Sequence, residues 1–397
     1  MSKYLRNGSR IIVLVICLII CGLSASAQEP QSLPDSVGVS TDTVVKKMNI
    51  IQKVINYFEK SNKTTITRRP SFSFLGGPHY SNDTKLGLGL LAAGVYSTCP
   101  ENTAIQPSNV SIFADITTAG YYKLGIRGLH LYRDATRRVD YEVSFKFYKT
   151  YFWGVGYDDA MNKENKTKYN LLDFMVLADH LWNVGGPVFL GPQIKFDRIA
   201  TKDRSESPIW EGMAPHCTSL GVGLRMQFDT RDNYTAPNSG WFGEFTQRFY
   251  PRFLWNNNHS FSQTEFALNY YVSPWKKGVI ASRIHGNFTY GRTPWCLMPS
   301  LGGSYTMRGY YEGQFRDKDE MDLTVELRQR VYRRSGIAVW GGLGTVFSSF
   351  KNIKARTLLP TYGVGYRWEF KKNTNVRIDL GFGKKTWGVE FNLNEAF

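Results

Sequence analysis

From about Ser71 to Phe397, apolar residues recur at every second position. In "DLTVELRQRVY", Leu323, Val325, Leu327 and Val331 fall on one side, against Asp322, Thr324, Glu326, Arg328 and Arg330 on the other. "NVRIDLGFG" sets Val376, Ile378, Leu380 and Phe382 against Arg377 and Asp379, and "LGVGLRMQFDTRD" sets Leu220, Val222 and Leu224 against Arg225, Gln227 and Asp229. Wound into a helix, these charges would encircle the axis; in a strand, one face is apolar and the other charged. The segments outrun the usual soluble strand of about five or six residues. They reach the roughly nine to eleven that a lipid-crossing strand needs. A charged face and an oily face on one strand suit a ring with water inside and lipid outside, and an open edge would leave unpaired backbone groups in hydrocarbon. The pattern predicts an all-β fold, a transmembrane antiparallel β-barrel of about 16 strands over 71–397.

An even strand count returns the chain to the side it started from. Both ends are then periplasmic, and odd-to-even connections face outward. Turn signals place the eleventh strand near 277–290 and the twelfth near 320–333. The gap between them holds "GGSYTMRGYYEGQFRD", Gly302 to Asp317, which reads as neither strand nor ordinary turn.

The chain before the barrel has a different pattern. Lys3, Arg6 and Arg10 precede the apolar run "IIVLVICLII" and the small residues "GLSASA", which predicts a signal peptide over 1–27 cleaved after Ala27. A periplasmic linker is expected over 28–70. Within it Val44, Met48, Ile51, Ile55 and Phe58 recur at helical steps, predicting one amphipathic helix over about 43–60. That helix suits a membrane surface or a plug at the periplasmic mouth, and the spacing does not separate the two.

Composition narrows the function classes. Loss of Lys3, Arg6 and Arg10 takes the formal charge from +16 to +13. In a secreted chain that excess points to anionic lipid headgroups or a cation-lined pore, and no nucleic-acid partner is expected. Cys99, Cys217 and Cys296 remain after cleavage, widely and irregularly spaced, so at most one disulfide bridge forms. His79, His130, His180, His216, His259 and His285 show no metal spacing. With no nucleophile elbow or phosphate loop, no enzyme, metal or cofactor is expected.

Three motifs carry a family resemblance. Arg308-Gly309-Tyr310, in the gap between the eleventh and twelfth strands, resembles the Arg-Gly-aromatic loop of the BamA/TamA and two-partner-secretion superfamily, the bacterial surface antigen barrels. "FDTRDNYTAPNSGWFGEF" resembles that family's periplasmic turn through Asp229, Arg231, Asp232, Pro237 and Gly240. "TWGVEFNLNEAF" resembles the C-terminal signal of outer-membrane barrels through Trp387, Val389, Phe391, Leu393 and Phe397.

The resemblance implies localisation in the bacterial outer membrane and a loop folded into the lumen, with Arg308 as anchor and Glu326 as counter-charge. It also implies a part in inserting or translocating outer-membrane or secreted proteins. The implied partners are outer-membrane lipids, unfolded client proteins and a periplasmic or lipoprotein partner. Gly76, Gly77 and Pro78 stand at the expected seam of first and last strands, where proline cannot donate to a ladder.

Two departures stand out. Gln28 to Pro70 leaves no room for the family's periplasmic repeats, which makes this a short form. The aspartate that the family places on the thirteenth strand is replaced near Gly342, which leaves Glu326 more heavily used and the loop held less tightly. A passive channel, a structural barrel or a lipid-handling barrel without protein clients is the alternative function.

Overall fold

The computed structural model describes residues 67–81, 85–102, 105, 107–254, 259–371 and 374–397. The signal peptide, the linker as far as residue 66 and the helix expected over 43–60 lie outside the described residues. Among those described, sixteen long strands run antiparallel to their neighbours in one ring. The first eleven are β1 (Ser71–Ser81), β2 (Lys85–Tyr96), β3 (Ser108–Thr117), β4 (Tyr122–Leu131), β5 (Arg137–Phe152), β6 (Thr167–Gly185), β7 (Val188–Lys202), β8 (His216–Asp229), β9 (Gly240–Tyr250), β10 (Phe261–Trp275) and β11 (Gly278–Gly291). Two-residue strands β12 (Ser300–Leu301) and β13 (Phe315–Arg316) pair with each other inside the next loop. The ring resumes with β14 (Asp319–Tyr332), which pairs directly with β11, then β15 (Ser335–Phe347), β16 (Leu359–Lys371), β17 (Thr374–Gly383) and β18 (Thr386–Leu393). The predicted all-β barrel and its strand count hold.

Burial is inverted relative to a water-soluble protein. On β14, Leu323 and Val325 are 44% and 43% exposed, whereas Glu326 between them and Leu327 is fully buried. Leu224, Ile194 and Val364 also point outward, while Asp179, Arg377 and Asp379 are enclosed. That is the alternation of a strand with lipid on one side and a packed polar lumen on the other.

The two ends of the ring differ. Two-residue turns at 276–277 and 333–334 close one end, whereas connections 153–166, 203–215, 292–318 and 348–358 crowd the other. Short periplasmic turns and longer external loops are the ordinary sidedness of such barrels. The crowded end forms a lid. Helix α1 (Tyr157–Met161) contributes Ala160 to an apolar cluster with Leu301, Met307, Tyr310, Phe315, Val346 and Leu359. A second cluster packs Phe152, Tyr169 and Trp295 against Trp210 and Cys296.

Ring closure is uneven. β1 pairs with β2 through all eleven of its residues. Against β18, the described residues pair at a single register position, Ser81 with Glu390. Every other neighbouring pair in the ring is joined at eight or more positions, the shortest being β3–β4, β8–β9 and β17–β18. Gly76, Gly77 and Pro78 sit in β1, opposite Leu90, Gly89 and Leu88 of β2.

Candidate functional site: an arginine clamp inside the barrel

One register row prepares the inner wall. Glu326 of β14 pairs with Trp340, Trp340 with Gly363 of β16, Gly363 with Gly381 of β17, and Gly381 with Gly388 of β18. Three successive glycines remove the side chains that would fill this part of the lumen. Trp340 lies across the first of them: a Cβ on Gly363 would come within 2.3 Å of its ring. The result is a trough floored by an indole and bounded by carboxylates.

The loop between β11 and β14 fills that trough. Gly309 adopts φ 99°, a conformation that L side chains rarely take. A Cβ there would meet the carbonyl carbon of Gly381 at 2.7 Å, and a Cβ on Gly381 would meet that of Arg308 at 2.7 Å. Backbone thus lies directly on backbone, which only glycine on both sides allows. The Thr361 Oγ1 donates to the Arg308 carbonyl at 2.7 Å, and Thr386 Oγ1 donates to the Gly309 carbonyl at 2.9 Å.

Arg308 itself is 2% exposed. Its guanidinium donates to Glu326 Oε2 at 2.5 Å and to Asp379 Oδ2 at 2.8 Å, and stacks 3.7 Å above the Trp340 ring. A planar cation with several donors can satisfy two carboxylates and an aromatic face together, which an ammonium cannot. The carboxylates are themselves shared. Arg328 donates to Glu326 at 2.7 Å, and Asp379 accepts from Arg367 at 2.5 Å and from Arg377 at 2.6 Å. Arg377 reaches on to the Ser304 carbonyl at 2.7 Å, holding the approach to the loop as well as its tip.

The two tyrosines part company. Tyr310 donates to the Pro360 carbonyl and accepts from the Lys384 amide, both at 2.7 Å, with its ring edge-on to Phe315. Burial pushes its phenol up to about 12, so the hydroxyl stays protonated and able to donate. Tyr311 turns the other way, its hydroxyl 3.2 Å from Thr150 Oγ1 and its ring against Trp153 on the facing wall. The loop therefore touches both sides of the lumen.

The sequence-derived residues fall as follows. Arg308, Gly309, Tyr310 and Glu326 meet in one place. The second carboxylate, absent from the strand where the family resemblance put it, comes from Asp379 on β17. The residue of β15 that faces the arginine is Trp340, two positions before Gly342. Asp379 was legible as lumen-facing, but nothing in the linear pattern joined it to Arg308.

The periplasmic turn is a separate site. Arg231 donates to both oxygens of Asp229, at 2.9 and 2.7 Å, while its guanidinium lies 4.2 Å from the Phe242 ring. Asp232 accepts from the amides of Asn238 and Ser239, and Gly240 at φ 105° passes so close to Thr230 that a Cβ would sit 2.4 Å from its carbonyl oxygen. Pro237 lines a cavity of about 350 Å³ at the short-turn end, together with Lys277, Arg328, Arg330, Arg367 and Glu395.

The C-terminal segment departs from the expected strand. Trp387, Val389 and Phe391 keep the outward row, and Leu393 closes β18. Asn394 then takes φ 62°, and the chain turns into the lumen mouth. Glu395 accepts from Arg367 at 2.9 Å, and the Phe397 carbonyl accepts from Arg328 at 2.9 Å. Alternation alone would have left Phe397 facing lipid.

Lipid-type exposure outside, ion pairs inside and a lid of long loops at one end define a bacterial outer-membrane β-barrel. Over residues 127–395 the sequence matches the Omp85 superfamily domain, and the chain belongs to that family. Its fold is similar to BamA from Haemophilus ducreyi lacking POTRA domains 1–3, at 10% identity and a TM-score of 0.55, covering 82% of this chain and 70% of that one. It is also similar to CdiB from Acinetobacter baumannii, at 11% identity and a TM-score of 0.52, covering 81% and 59%. CdiB from Escherichia coli aligns at 11% identity with a TM-score of 0.51, covering 86% and 70%. Among curated proteins, no sequence matches.

Proposed function

We propose that this barrel takes part in inserting or translocating outer-membrane or secreted proteins, with the loop at Arg308 as plug and the β1–β18 seam as the gate. The reading is carried by the contrast between a seam whose described residues pair at one register position and a β14–β18 wall clamped by ion pairs. Each backbone group left unpaired in hydrocarbon costs several kcal/mol. An edge held so sparsely therefore gains from any strand that adds to it, which is how a client segment would be received. Pro78 has no amide hydrogen to donate, and Gly76 and Gly77 beside it weaken the strand, so β1 offers an incomplete ladder. The clamp keeps solutes from passing while the seam is used. Clients would be unfolded barrel proteins, and a separate periplasmic or lipoprotein partner would deliver them.

A seam cross-link tests this reading against a passive channel. Ser81→Cys combined with Glu390→Cys, oxidised in the cell, should leave a folded, heat-modifiable barrel and reduce the other outer-membrane barrels relative to either single variant. A proteome unchanged by the closed seam would remove the insertion role and leave a channel.

A further inference from the structure

Cations on the lipid-facing rows are unevenly placed. β5 carries an apolar and aromatic row from Val139 to Phe147, with Arg137 before it and Lys149 after it. That row spans the roughly nine to eleven residues a lipid-crossing strand needs, so Lys149 stands where hydrocarbon gives way to headgroups. On β7 the row through Ile194 and Phe196 runs on into Arg198 and Lys202, and on β6 Lys168 and Asn170 precede Leu172 and Phe174. Burial agrees with this parity: Lys149, Lys168, Arg198 and Lys202 are exposed, whereas Thr150, Tyr169 and Ile199 beside them are buried. All four lie at the end of the ring crowded by connections 153–166 and 203–215. Among the described strand residues, no other outward row carries lysine or arginine at that end, since Lys85 and Lys123 take the opposite parity.

Strand register gathers these side chains. Lys149 pairs with Asn170 and Asn170 with Lys202, while Lys168 sits opposite Tyr151, two residues nearer the outside. With neighbouring strands about 4.8 Å apart, Lys149 and Lys202 stand about 10 Å apart at the backbone. Arg198 donates to Thr218 of β8, and Asp203 accepts from Asn170. The carboxylates of the same strands face the lumen, where Asp173 and Asp197 pair with Lys146 and Lys195 at 3.5 and 3.4 Å. Among the described residues, Lys149, Lys168 and Lys202 have no ion-pair partner.

We propose that this patch binds a phosphorylated glycolipid of the outer leaflet, with the cations on its phosphates and the apolar rows below them against its acyl chains. A lipid whose phosphates lie at headgroup depth meets the four cations without leaving the membrane, and Phe145, Phe147, Phe174 and Phe196 offer its chains an aromatic wall. Arg198 supplies paired donors that match phosphate oxygens, and the lysines supply point charges. Cations spread over about 10 Å of one register row ask for more than one phosphate, which a phospholipid with a single phosphodiester does not bring. Lysines that merely snorkel to the interface would recur around the circumference, whereas these occupy three adjacent strands. The site lies on β5 to β7, away from the β1–β18 seam. It does not depend on the insertion reading, only on location in the outer membrane.

The test is native mass spectrometry of the folded barrel in detergent, titrated with lipid A carrying both phosphates, with enzymatically dephosphorylated lipid A and with phosphatidylglycerol. The intact chain should retain the bisphosphorylated lipid about tenfold or more over either of the others. Equal retention of the dephosphorylated lipid or of phosphatidylglycerol would overturn the proposal, and that comparison needs no variant. Combining Lys149→Gln, Lys168→Gln and Lys202→Gln should lower retention of bisphosphorylated lipid A by about tenfold or more, each basic side chain near an anionic surface contributing several-fold. Lys276→Gln, Lys277→Gln and Arg333→Gln together remove the same charge from the short-turn end and should leave retention unchanged. Heat-modifiability on gels shows that both triple variants are folded. Full retention by the first, or an equal loss in the second, would also overturn the site.

Discussion

Removing the Arg308 side chain leaves Glu326 and Asp379 enclosed without one of their cations, and the Trp340 face bare. Breaking a buried pair from one side typically costs about 3–5 kcal/mol, because the stranded charge cannot regain water. Arg308→Ala should therefore release the loop, read as faster protease cleavage between residues 302 and 317 in otherwise folded barrels. Glu326→Ala should do the same, since Arg308, Arg328 and Arg367 all draw on that carboxylate. Arg308→Lys should rescue only in part: an ammonium cannot span both carboxylates while stacking on the indole. Unchanged cleavage in both alanine variants would show that the ion pairs do not hold the loop.

At the level of elements, the fit depends on absences as much as on charges. Gly309 and Gly381 touch through their backbones, so a methyl group on either must push the loop off β17. Gly381→Ala should raise loop cleavage as far as Arg308→Ala does, whereas Gly341→Ala, with nothing within 4 Å of the added carbon, should leave it unchanged. Equal behaviour of the two glycine variants would discard the trough. The strands themselves were legible, because period two with charges on one side has a single physical solution. Glu326 was legible for the same reason, since parity assigned it to the lumen. Asp379 shared that parity, yet its place beside Arg308 depends on register across β14 to β17, which no short stretch of sequence encodes. Trp340 was missed because the family pattern suggested a carboxylate on β15, and an aromatic face does part of that work instead. The inward turn at Asn394 had one sign in the sequence, because continued alternation would set Glu395 on the lipid face; Arg367 in the lumen mouth shows where that carboxylate goes instead.

For the whole molecule, the clamp and the C-terminal segment gather on one side of the ring. Arg328 touches both Glu326 and the Phe397 carbonyl, and Arg367 touches both Asp379 and Glu395, so the clamp carboxylates and the tail share two cations. Such sharing braces β14 to β18, five of the sixteen strands of the ring. Deleting Met307 to Tyr311 should separate bracing from plugging. The ring pairings that hold the barrel closed elsewhere do not involve these residues, so the variant should still fold and remain heat-modifiable. The lumen, however, loses the segment that spans from Pro360 on one wall to Thr150 on the other. In planar bilayers the deletion should carry a larger and steadier current than the intact chain. Equal currents would mean that the lid formed by the clusters around Leu301 and Trp295 closes the pore unaided, and that the clamp acts on the wall rather than on the passage.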